Sequence, residues 1–184
     1  MKKKIFMGVG IALGLFIVWV VYGVFFAPVK SPPTTASVDS GGLQITVSYS
    51  QPSKRGRLIF GEESAGALQP FGKYWRLGAN AATEITFNKD VTFAGQPVNA
   101  GSYRMYAVPG AEAFKIILNS ELGVRFSAAM EPDHSLDVLT VDIPVEPLLA
   151  EAEMFTISFE SDSAGVNMNM AWDLTLLRVP IGVR

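Results

Sequence analysis

Val166-Asn167-Met168-Asn169-Met170-Ala171-Trp172-Asp173-Leu174-Thr175-Leu176 is the stretch that decides the fold. Val166, Met168, Met170, Trp172, Leu174 and Leu176 fall on one side of a pleated chain, and Asn167, Asn169, Asp173 and Thr175 on the other. One apolar face and one polar face mark a strand packed on a core from one side, as in antiparallel sheets. Upstream, Leu43, Ile45, Val47 and Tyr49 alternate with Gln44, Thr46 and Ser48 in the same way. Further runs lie at 83–87, 91–93, 102–108, 114–118, 136–143 and 154–159. Asn88-Lys89-Asp90, Ala94-Gly95-Gln96, Pro109-Gly110 and Ser161 to Gly165 separate them with the residue types that tight turns use. Only Pro147 to Glu153 has any helical character. The pattern predicts an all-β domain, an antiparallel β-sandwich or barrel-like, over residues 43–184.

The N-terminal end obeys different rules. Ile5 to Phe26 holds no charged residue in 22 positions, a helix about 33 Å long and so able to cross a bilayer core of about 30 Å. Lys2, Lys3 and Lys4 precede it, and Trp19 and Tyr22 lie near its far end. This arrangement predicts a transmembrane anchor at 5–26, with residues 1–4 cytoplasmic and the domain outside the cytoplasm, in the periplasm or cell envelope. A cleaved signal peptide, giving a secreted protein, is the alternative. It favours an apolar core of about 7–15 residues and an A-x-A-like site, for which Thr34-Thr35-Ala36 is the nearest match. Residues 27–42, with Pro28, Pro32, Pro33 and Gly41-Gly42, read as an extended spacer. Gly10 and Gly14 have the G-x-x-x-G spacing that lets two membrane helices approach closely, as in a weak dimer.

There is no cysteine, which removes disulfides, thiol nucleophiles and thiolate metal sites. With Lys2 to Lys4 set aside, 12 Lys and Arg stand against 17 Asp and Glu, a balance of −5. That sign argues against nucleic acid as a partner. No cofactor loop, G-x-S-x-G or H-E-x-x-H is present, and no cofactor or metal is expected.

Three segments stand out in order: Gln51 to Gly61, with Arg57-Leu58-Ile59-Phe60-Gly61; Phe71 to Asn80, with Trp75-Arg76-Leu77-Gly78-Ala79-Asn80; and Ala100-Gly101-Ser102-Tyr103 leading to Val108-Pro109-Gly110. This set resembles the bacterial domain-of-unknown-function family 2911, from about Gln44 to Asp142 and more loosely beyond. The resemblance implies a β-rich, envelope-associated domain and implies no activity. One departure is the stretch Glu121-Leu122-Gly123-Val124-Arg125-Phe126, where many members continue with a tryptophan.

The same segments concentrate the residues able to carry chemistry. Lys54, Arg55 and Arg57 lie in a Gly-containing loop, and Arg76 lies beside Tyr74 and Trp75 and ahead of Asn80. If the fold joins the two loops, guanidinium groups and an amide can hold a carboxylate, phosphate or sulfated sugar, and the rings can stack on a ligand. The structural alternative has Arg57 and Arg76 capping loop carbonyls or pairing with Glu84 and Glu62, and Trp75 filling the core. Glu84 is an ion-pair partner or an acid–base group. His134, the only histidine, sits in a polar turn, and the Asn167 to Met170 alternation reads as core packing rather than a thioether metal site.

Three functions follow. The first is a binding or scaffolding module for a small anionic or carbohydrate ligand or an envelope protein, through Lys54, Arg57, Tyr74, Trp75, Arg76, Asn80 and Glu84. The second is a hydrolase-like envelope enzyme with Glu84 or Asp133 as acid or base and Arg76 as stabiliser of developing negative charge. The third is a purely structural protein, in which Gly56, Gly61, Gly78, Gly101 and Gly110 only shape the backbone. The third predicts no ordered pocket around Trp75.

Overall fold

A computed structural model describes the backbone of residues 2–25, 30–162 and 165–184, and the side chains of these except 2–7, 9, 24, 25, 126, 127 and 162. It divides into two units, Met1–Lys30 and Ser31–Arg184. The first contains helix α1, Lys2–Phe25, whose sequence is uncharged after Lys4. Its side chains stand exposed, Leu15, Val18 and Trp19 at 66%, 65% and 70%. Among the described residues no helix is long and apolar enough to cross a membrane. Gly10 and Gly14 lie on α1, with open space around both.

The second unit contains eleven strands among the described residues: β1 Pro33–Ser40, β2 Leu43–Ser50, β3 Phe60–Gly61, β4 Gln69–Pro70, β5 Thr83–Phe87, β6 Val91–Phe93, β7 Gln96–Val98, β8 Gly101–Val108, β9 Ala113–Asn119, β10 Asp137–Asp162 and β11 Gly165–Val183. Nine form one sheet in the order β1-β2-β5-β8-β9-β10-β11-β6-β7, with every neighbouring pair antiparallel. The short strands β3 and β4 pair in parallel beside it.

The all-β reading holds; a barrel does not, because β1 and β7 are free edges and the sheet is not closed. The sheet curls instead. β2 and β10 are not neighbours in it, yet Tyr49 meets Phe155 edge-on at 5.6 Å, and the Tyr49 hydroxyl accepts the Ile157 N–H at 3.0 Å. Phe87 on β5 likewise meets Phe93 on β6 at 6.3 Å. Apolar side chains from both ends of the sheet thus share one core, which excludes water from a single apolar volume.

Three expectations are corrected. Half of the segment read as a spacer is the edge strand β1, paired with β2 from Pro33↔Ser50 to Ser40↔Leu43; Pro33 is tolerated there because an edge strand has N–H groups with no ladder to serve. Residues 27–29 of that spacer lie outside the described residues, as do Phe26, Ser163 and Ala164. The runs at 136–143 and 154–159 belong to one long strand, β10, and the helical-looking Pro147 to Glu153 is its irregular middle, where the register against β11 shifts. Finally, Leu174 is 54% exposed and Leu177, Val179 and Ile181 are buried in its place. Asp173 takes a left-handed backbone at φ 56° opposite Ala152. One extra residue at such a bulge moves every later side chain to the opposite face.

Candidate functional site

The loop at 52–57 is fixed to β10 by its backbone. Lys54 N–H donates to the Glu153 carbonyl at 2.7 Å, and Phe155 N–H to Pro52 O at 2.9 Å. The loop at 74–80 is fixed to β8 by a two-way bridge, Trp75 N–H to Ala107 O and Ala107 N–H to Trp75 O, both 2.8 Å. Three of the five non-glycine residues at positive φ lie in these two loops: Arg55 at 53°, Leu77 at 52° and Asn80 at 59°. Backbone held in such sparsely populated conformations clusters at functional sites, where surrounding structure over-determines it.

Between the loops lies a cleft of about 370 Å³, whose walls include Arg57, Tyr74, Trp75, Arg76, Asn80 and Trp172. The fold therefore brings five of the seven expected site residues together. Trp75 and Trp172 stack at 5.8 Å and 24°. Each is at most 3% exposed, and neither indole N–H finds an acceptor among the described residues. A buried donor left unpaired costs about 1–3 kcal/mol, so two of them beside one cleft are unusual. Both are donors only.

The arginines are partly committed to the protein. Arg57 donates from Nε to Lys54 O at 2.9 Å and from Nη2 to Ser53 O at 2.7 Å. Arg76 donates from Nη1 to Asn80 O at 3.0 Å. Neither pairs with Glu62 or Glu84 among the described residues, so the carbonyl-capping role is the one the structure shows. A guanidinium has five N–H donors, and these bonds occupy two in Arg57 and one in Arg76. The remaining donors can meet an anion.

Lys54 is elsewhere. Its ammonium sits between Glu151 at 2.6 Å and Asp173 at 2.7 Å, whose hydrogen bonds raise its pKa. It clamps the loop to the β10–β11 bulge and lines neither this cleft nor the one beside it. Glu84 lines the second cleft, about 790 Å³, which adjoins the first through the shared residues Arg76 and Asn80. One Glu84 carboxylate oxygen accepts the Gly123 N–H at 2.7 Å. Asp133, the other candidate acid or base, is occupied as the cap of the 3-10 turn His134–Leu136. Ser135 donates to it from hydroxyl and N–H, which hold its carboxyl below the usual range.

A polar cluster behind the cleft is not evident from the sequence. Buried Arg104 pairs with Glu121 through Nη1 and donates from Nη2 to the Tyr74 hydroxyl at 2.7 Å, while Tyr74 donates to Ala128 O at 2.9 Å. On the same face of β8 the Tyr106 hydroxyl donates to Asp137, with Oδ1 and Oδ2 at 2.8 and 2.9 Å, and lies 3.0 Å from His134 Nδ1. Burial foremost, and then the Asp137 carboxylate, push the Tyr106 hydroxyl well above its ordinary value of 10.0. It remains protonated at neutral pH. His134 is thus a partner of this cluster rather than a free turn residue.

These features define an open antiparallel β-domain with a basic, tryptophan-walled cleft between two pinned loops. The chain belongs to the DUF2911 family of proteins of unknown function, whose model matches residues 31–181. That range takes in β1 and most of β11 as well as both loops. No curated protein and no solved structure matches the chain.

Proposed function

We propose that this protein is a membrane-anchored binding module of the cell envelope whose 370 Å³ cleft captures a small anionic group. The observation that carries this reading is the convergence on one cleft of Arg57 and Arg76, each with guanidinium donors beyond those its carbonyl bonds use. Guanidinium donors to spare in one cleft suit a carboxylate, phosphate or sulfate, whose oxygens accept several charge-assisted hydrogen bonds at once. A purely structural role accounts for the arginine–carbonyl bonds but not for a cleft on which two arginines converge. The enzyme reading has less support, because Asp133 is committed to a turn and Glu84 lies outside this cleft.

The test is thermal unfolding of the full chain in detergent with phosphate, pyrophosphate, acetate and a sulfated disaccharide. A ligand that binds only the folded state raises the melting temperature by mass action. An Arg57→Ala/Arg76→Ala variant is expected to lose about 1–2 kcal/mol from its exposed carbonyl caps and to lose the anion-induced shift entirely. An equal shift in wild type and variant would remove the cleft from consideration.

Anchoring rests on the 22 uncharged positions from Ile5 to Phe26, which continue past both ends of the described side chains of α1, and on the three lysines before them. Because the chain has no cysteine, one introduced thiol reports its own side of the membrane. In intact cells with a permeable outer layer, Glu112→Cys is expected to react with a membrane-impermeant maleimide, and Lys3→Cys only after lysis. Protection of Glu112→Cys until lysis would put the domain in the cytoplasm.

A further inference from the structure

The larger cleft carries charges of both signs that do not meet. Glu84, Arg76 and Arg125 all line its 790 Å³, and no ion pair joins Glu84 to either arginine among the described residues. One Glu84 oxygen is held by the Gly123 N–H, which fixes the carboxylate and leaves its other oxygen toward partners still to come. Opposite charges within one cavity normally close on each other when their side chains can reach. Here Glu84 and Arg76 are each held by a backbone partner instead. Glu84 is in the interior of the sheet, paired with Ser48 on one side and Arg104 on the other, and Arg76 is tied to the Asn80 carbonyl.

We infer that the two clefts form one elongated site for a short peptide-like zwitterion, with its carboxylate at Arg57 and Arg76 in the smaller cleft and its ammonium at Glu84 in the larger. This rests on the anion-capture reading and adds the other end of the ligand. Arg76 and Asn80 line both clefts, so the body of the ligand passes across them. Two adjoining cavities of 790 and 370 Å³ are more than a single amino acid fills, whereas an extended tetrapeptide spans up to about 13 Å. Thr34, Thr35, Ser48 and Ser50 along the larger cleft supply hydroxyls that donate to or accept from peptide groups. An ammonium has three donors and no acceptor capacity, which matches a carboxylate with a free oxygen; it finds no counterpart among the arginines and indoles of the smaller cleft.

The experiment compares tetra-alanine, N-acetyl-tetra-alanine and tetra-alanine amide by calorimetric titration of the full chain in detergent, with pyrophosphate as a peptide-free anion. Acetylation removes the ammonium without touching the protein, so the result does not depend on a variant folding. Acetylation and amidation are each expected to weaken binding at least 10-fold, and Glu84→Gln to bind free and acetylated peptide equally. If amidation weakens binding and acetylation does not, the ammonium subsite is wrong and the anion cleft stands. Binding of pyrophosphate alone, dependent on Arg57 and Arg76, has the same meaning. If neither the peptides nor pyrophosphate binds, both readings fall together.

Discussion

Trp172→Ala is expected to lower the free energy of unfolding by about 3–5 kcal/mol, the usual cost of emptying a large aromatic site in a packed core. Trp172 is 1% exposed. Its ring meets Trp75 at 5.8 Å, Phe155 at 5.9 Å and Phe60 at 6.0 Å, so four elements lose a shared contact at once. Domains have about 5–15 kcal/mol in total, so the variant loses a large part of that margin. The midpoint of urea unfolding, followed by circular dichroism, reads the loss; a change below about 1 kcal/mol would contradict the packing described. Trp172→Phe separates packing from hydrogen bonding. It keeps a ring and deletes the unpaired N–H, whose removal offsets part of the lost volume. That chain is expected to fold and to lose less stability than Trp172→Ala.

Gly78→Ala is the second large effect, about 3 kcal/mol or more. Gly78 sits at φ 147°, and a Cβ there falls 2.7 Å from the Ser50 carbonyl oxygen, a backbone atom that cannot rotate away. The conformation itself costs about 1–3 kcal/mol for a residue with a side chain, and the overlap adds a similar amount. The damage is local as well as global. Leu77 and Asn80 on either side are also at positive φ, and the Leu77 carbonyl accepts the buried Thr83 hydroxyl at 2.6 Å. Displacing this loop from β2 moves Arg76 and opens the cleft. The variant is expected to melt earlier than wild type and, where folded, to resist digestion less well between residues 70 and 82. A melting temperature equal to wild type would show that this close approach is not maintained in solution.

The strands that face solvent on one side were legible because their alternation is strict. Leu43 to Tyr49 and Thr83 to Phe87 read correctly to the residue. Beyond Asp173 the alternation misleads, since a bulge leaves the residue types unchanged while exchanging the faces. β8 shows a second limit. Arg104 and Tyr106 look like the wet side of a strand, but both are buried and bonded to Tyr74 and to residues between Glu121 and Asp137. Nothing local in Ser102-Tyr103-Arg104-Met105-Tyr106 announces that cover. The two loops of the cleft could be named in advance because Gly, Arg and Trp crowd there. That Trp172, nearly a hundred residues later, completes the wall depends on the curl of the sheet, which no short window of sequence records.

The position of β6 sets a constraint on how the chain is made. Phe93 pairs with Ile181, and Val91 with Val183, so the β6–β7 hairpin joins the sheet only through residues translated roughly 90 positions later. At ribosomal speeds of about 5–20 residues per second, Val91 and Phe93 wait roughly 5–18 seconds before the strand they pair with exists. Through that interval the nascent chain presents a short apolar hairpin with an open edge, the kind of surface that aggregates unless a chaperone holds it. The β6–β7 hairpin therefore takes its place in the sheet only once β11 has been made.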